Sequence, residues 1–138
     1  MLEEYKKRNI YFLWNQSYLG KPSDINTKSD TFYGNYAKII DAIKTKALNS
    51  KIILLTFAYS YNALESKFNE AIKILANAYS IPCIDIKTSE YYQQSSIYHT
   101  GKKFNHPTAP LYSGMANANT NLFITCVENS YGYFSNIV

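Results

Sequence analysis

His106 is the histidine with a clear positional signature in this sequence, in Phe104-Asn105-His106-Pro107-Thr108-Ala109. It stands just before a segment with helix-starting character, where irregular backbone lets a side chain face a cleft. Imidazole titrates near neutrality, so general acid or base work is the chemistry such a residue offers. His99, in Tyr98-His99-Thr100-Gly101, reads as a solvated loop residue. Cys83 and Cys126 are far apart. With two histidines they form no spacing such as C-x-x-C or H-E-x-x-H, so neither a metal nor a cofactor is expected. Cys83 lies in Ile81-Pro82-Cys83-Ile84-Asp85-Ile86, where a buried free thiol is the expectation and a disulfide stays open. Asp85 ends that run, in the right region for a carboxylate partner, and reads more simply as a capping or loop residue.

These residues act only where the chain places them. Asn9-Ile10-Tyr11-Phe12-Leu13-Trp14 is a short continuous apolar run, as expected of a strand buried on both faces. A polar loop follows over 15–30. Ser29 or Asp30 is expected to cap a helix over 31–48, with Phe32, Tyr36, Ile39, Ile40 and Ile43 on its apolar face. Segment 51–57 reads as a second strand and 81–86 as a third. Between them 62–79 reads as a helix, with Leu64, Phe68, Ile72, Leu75 and Ala76 on one face. Alternation of apolar strands with helices implies the α/β class, with a parallel sheet and right-handed crossovers. Ligands bind such sheets at the carboxyl ends of the strands, here Asn15-Gln16, residues 58–61 and the loop 87–107. A last helix starts after Pro107, and 120–138 fits either more helix or a strand.

Composition bounds the rest. The 138 residues are 46% hydrophobic and 17% charged, which suits a single domain over 1–138 with one core. Fourteen tyrosines and a lysine-rich set of 14 basic residues, with Arg8 the one arginine, look like AT-rich coding before they look like function. The net charge of +4 is spread along the chain, and one arginine is a poor supply for nucleic-acid recognition, so no nucleic-acid partner is expected. No run reaches membrane-spanning length, and Glu3 and Glu4 argue against a signal peptide. Tyr91-Tyr92, Tyr98 and Tyr131-Gly132-Tyr133-Phe134 offer rings for sugar stacking or protein contact, against the simpler reading of compositional bias.

Several blocks together resemble the later part of an SGNH (GDSL-type) hydrolase. They are Asn35-Tyr36-Ala37-Lys38-Ile39-Ile40, Ser50-Lys51-Ile52-Ile53-Leu54-Leu55-Thr56, Ala71-Ile72-Lys73-Ile74-Leu75-Ala76, Ile81-Pro82-Cys83-Ile84-Asp85-Ile86, Asn105-His106-Pro107-Thr108-Ala109 and Tyr112-Ser113-Gly114-Met115-Ala116. The likeness runs over about residues 9–118. It implies a three-layer α/β/α sandwich of flavodoxin-like SGNH type with a mainly parallel sheet, partial in that the N-terminal strand and nucleophile block belong ahead of this chain. It also implies His106 as the catalytic base and Asn15 as the oxyanion-hole asparagine.

The departures are chemical. The motif's aspartate, three residues before the histidine, is Lys103 here, and a cation offers an imidazole no acceptor and lowers its pKa. Around Asn15 the motif's glycine and aspartate are replaced, in Leu13-Trp14-Asn15-Gln16. Ser60 lacks the flanking glycines of a nucleophile turn, and Ser113 falls inside a predicted helix where its oxygen is expected to be covered. Acyl transfer needs nucleophile, base and oxyanion donors together. The resemblance therefore implies one of two things. One is an ester-hydrolase module, for a substrate such as an acetylated carbohydrate, inactive without a serine from elsewhere. The other is a non-catalytic binding or structural protein. Either way a short sheet leaves an open edge, which implies a homo-oligomer or a complementing chain.

Overall fold

The computed structural model describes residues 16–58, 63–93, 102–103 and 106–135. Two short helices, α1 (Gln16–Leu19) and α2 (Asp24–Thr27), lead into α3 (Phe32–Lys46). Thr31, rather than Ser29 or Asp30, caps α3. Its extended backbone turns its hydroxyl to accept from the Gly34 N–H at 3.2 Å, while the same hydroxyl donates to Asp24 Oδ2 at 3.1 Å. Gly34 is required there, because a Cβ would collide with the Ser29 backbone. Lys44 and Lys46 end the helix where its dipole favours cations.

α3 buries a different face from the one its apolar spacing suggests. Tyr33, Gly34, Ala37 and Ile40 are buried, whereas Ile39 is 56% exposed and Phe32 and Tyr36 are half-buried. The inward face is shifted by one residue, about 100° of helix rotation. The small Gly34 and Ala37 allow close packing, which the aromatic stripe does not.

β1 (Leu54–Leu55), α4 (Ala63–Ala78) and β2 (Cys83–Ile84) form one strand–helix–strand unit. The strands pair in parallel, Leu54 opposite Cys83 and Leu55 opposite Ile84. Leu54 N–H donates to Pro82 and Thr56 N–H to Ile84, each at 3.0 Å. A 3-10 turn (Ile86–Thr88) and α5 (Glu90–Gln93) follow, then β3 (Lys102–Lys103) and β4 (His106–Pro107), paired antiparallel. α6 (Ala109–Asn129) and α7 (Tyr131–Ser135) complete the described chain. The segment 120–127 is thus helix, not strand. No helix among the described residues is long and apolar enough to cross a membrane.

The expectation of a three-layer α/β/α sandwich with a mainly parallel sheet is overturned. The described chain is mostly helical, and its parallel sheet is a two-stranded pair. The 9–14 segment lies outside the described residues. Within the other two apolar runs, only two residues of each enter the ladder. Side chains take over beyond them. The Tyr133 hydroxyl accepts from Ile52 N–H at 3.0 Å and donates to Ile52 C=O at 3.2 Å. The Asn69 amide accepts from Phe57 N–H at 2.7 Å and donates to Phe57 C=O at 3.2 Å. Each satisfies one strand residue's donor and acceptor, so these ends need no further strand pairing.

Two apolar clusters hold the elements. One joins α3, α4 and Leu54, with Ala71, Ile72 and Leu75 at its centre. The other joins Ile84 and Ile86 to Tyr92 of α5 and Leu111 and Ala118 of α6. Lys28 ties α3 to the residue that follows α4 by pairing with Asp41 and donating to the Tyr79 hydroxyl at 2.7 Å.

Candidate functional site

The carboxyl ends of β1 and β2 carry a connected set of polar side chains. Thr56 follows β1 and Asp85 follows β2, while Asn69 and Lys73, one turn apart on α4, face both. Thr56 is 2% exposed and Asn69 4%. The Thr56 hydroxyl donates to Asp85 Oδ1 at 3.0 Å and accepts from Ile86 N–H at 3.0 Å. Asp85 Oδ1 also accepts from Lys87 N–H, capping the 3-10 turn, while Oδ2 pairs with Lys73 Nζ at 2.7 Å. Lys73 reaches Glu70 as well, at 3.0 Å. The result is a closed chain from backbone to backbone through two side chains and an ion pair.

Its electrostatics follow from these contacts. Burial pushes the Asp85 carboxyl upward, but hydrogen bonds from Lys73 and Thr56, with the Lys73 charge, outweigh it and hold the group below the usual carboxylate range. Hydrogen bonds to Asp85 and Glu70 raise Lys73 above the usual ammonium value. Asp85 is therefore an ionised carboxylate whose acceptor capacity goes to Lys73, Thr56 and the backbone.

The other sequence-derived residues fall in different places. Asn15, His99 and Ser60 lie outside the described residues. His106 lies in β4, ahead of α6, and the β3–β4 register sets Lys103 directly opposite it. Ser113 sits inside α6 at an exposed position, against the expectation that its oxygen is covered. Cys83 and Cys126 are free and half-buried, and burial pushes both thiols up. No group of three His, Cys, Asp or Glu among the described residues is placed to hold a metal ion.

Comparison of the chain with protein-family models, curated proteins and solved structures finds no match. The functional reading therefore rests on the residues and their geometry.

Thr56, Asn69 and Lys73 did not stand out in the sequence. A signal existed for the last two, which share a polar stripe at i and i+4 on a helix whose other face is apolar. The tyrosines read as a contact surface prove to be anchors in part. Tyr92 is buried with its hydroxyl on Asn119 at 2.8 Å, Tyr91 donates to the Leu111 C=O at 3.2 Å, and Tyr133 binds Ile52. Tyr131 is 72% exposed, and Tyr98 lies outside the described residues.

Proposed function

We propose that this chain is an SGNH-like module that does not hydrolyse esters by itself and serves as a binding or structural element. The observation that carries the reading is the register that sets Lys103 opposite His106. The position where the resembled family has its aspartate is thus filled by a cation. In the family's motif that aspartate fixes the histidine's tautomer and steadies its charged form, a role a lysine cannot fill. The carboxylate at the end of β2, Asp85, is committed to Lys73.

On this reading, any ester hydrolysis depends on a serine carried by a complementing chain or an upstream segment. α6 lends support as a contact surface: Glu128 is its single charged residue, and Tyr112, Phe123 and Ile124 are about half exposed.

The test is hydrolysis of p-nitrophenyl acetate by the purified chain beside its His106→Ala variant. Equal rates are expected. A rate about a hundred-fold above the variant's, the size that general-base catalysis supplies, would overturn the reading in favour of an active esterase.

A further inference from the structure

Part of the stripe that the spacing of α3 would bury, Phe32, Tyr36 and Ile39, is only half-buried or exposed and lines a groove. Phe32 and Tyr36 of α3 form one wall, Phe68 of α4 closes the floor, and Tyr18 of α1 stands at the side, 39% exposed. Phe32 meets Phe68 edge to face at 4.9 Å and Tyr36 at 5.1 Å with the rings tilted by 45°, so the aromatic positions are fixed by one another. The groove measures about 430 Å³, within the size range of small-molecule clefts.

Its rim is polar and ordered. Asn35 Nδ2 donates to Asp30 Oδ1 at 2.8 Å, and Lys38 Nζ donates to Asn35 Oδ1 at 3.1 Å. The Asp30 carboxylate and the Asn35 amide thus stand hydrogen-bonded to each other beside the rings. A ligand suited to both parts has an apolar C–H face for the rings and hydroxyls that donate to the carboxylate and bond the amide, and it brings no negative charge against Asp30.

We propose that this groove binds a neutral saccharide, one sugar face stacked on the Phe32–Tyr36 wall and its hydroxyls bonded to Asp30 and Asn35. An apolar helix from a second copy suits it less well, because covering the groove would strip water from the Asp30 carboxylate and supply no counter-charge. The inference rests on the described lining of the groove and uses no residue of the ester-hydrolase likeness.

The test titrates the full ¹⁵N-labelled chain with cellotetraose, maltotetraose, mannotetraose and chitotetraose into the millimolar range. At least one sugar is expected to shift the backbone amides of Tyr18, Asp30, Phe32, Asn35, Tyr36 and Phe68 saturably. Asn35→Ala, an exposed change that spares the core, is expected to weaken that binding about ten-fold, the equivalent of one good hydrogen bond. A Leu48→Ala change, at an exposed residue outside the groove, is expected to leave it unaltered. The proposal is overturned if no sugar shifts these amides, if Asn35→Ala binds as tightly as the parent chain, or if the groove amides respond instead to chain concentration without sugar, which marks self-association.

Discussion

Replacing Leu75 by alanine is expected to lower the unfolding free energy by about 3 kcal/mol, the largest single-residue effect anticipated for this chain. Leu75 is fully buried on α4, between Ile72 and Ala76 and within the cluster that α3, α4 and Leu54 share. Truncating it removes apolar surface that folding had taken from water. It also leaves a cavity that the flanking helices cannot fill without shifting. Neighbouring Ile74 is 39% exposed, so Ile74→Ala is expected to cost less than about 1 kcal/mol. Urea denaturation of the two variants reads the difference directly. Equal losses would mean that α4 presents another face to the core, and the placement of Asn69 and Lys73 would fall with it.

Asp85→Ala is expected to cost about 2 kcal/mol at neutral pH, a value discounted because the side chain is 27% exposed. The substitution strips an acceptor from Lys73 Nζ, from the Thr56 hydroxyl and from the Lys87 N–H together. Asp85→Asn separates the terms, since an amide can still accept from Thr56 but carries no charge for Lys73. The pH dependence has a definite sign. The folded pKa of Asp85 lies below the ordinary value of 3.8, so the unfolded chain holds the proton more readily than the folded one. The carboxylate's contribution is full above the unfolded pKa and is lost as pH falls through the folded one. The gap between the parent chain and Asp85→Asn should therefore be constant from neutrality to about pH 5 and close below the ordinary carboxylate value. A gap that persists undiminished after Asp85 protonates would show that the Lys73 ion pair does not stabilise the fold.

The helices were legible because burial of a continuous apolar stripe leaves a period in the sequence. The pattern over 62–79 matches α4, and the break at Pro107 matches the start of α6 at Ala109. Which stripe goes inward was less legible. In α3 the aromatic positions carry more apolar surface, yet the inward positions include the small Ala37, buried in the cluster shared with α4, and Gly34, against which the Ser29 backbone packs.

The sheet was misread for a different reason. An apolar run signals burial, but how far it enters a ladder depends on which distant groups take its backbone bonds. Tyr133 takes those of Ile52, 81 residues away, and Asn69 takes those of Phe57. Nothing in a local window marks a tyrosine or an asparagine for that role.

The candidate site divides in the same way. His106, Lys103 and Asp85 could be singled out by residue type and spacing. That Lys103 lies opposite His106 is a matter of strand register, and that Asp85 belongs to Lys73 is a matter of how α4 crosses the strand pair. The first is a local hairpin pairing and the second a tertiary contact.

The central claim, that this chain holds no working serine nucleophile of its own, is tested most directly by a fluorophosphonate. Such a reagent esterifies a serine only when a base and oxyanion donors have activated it. Intact-mass measurement of the full chain after prolonged exposure is expected to show the unmodified mass, equal to that of the His106→Ala variant treated alongside. A stoichiometric adduct on a serine of the parent chain, lost in His106→Ala, would contradict the account.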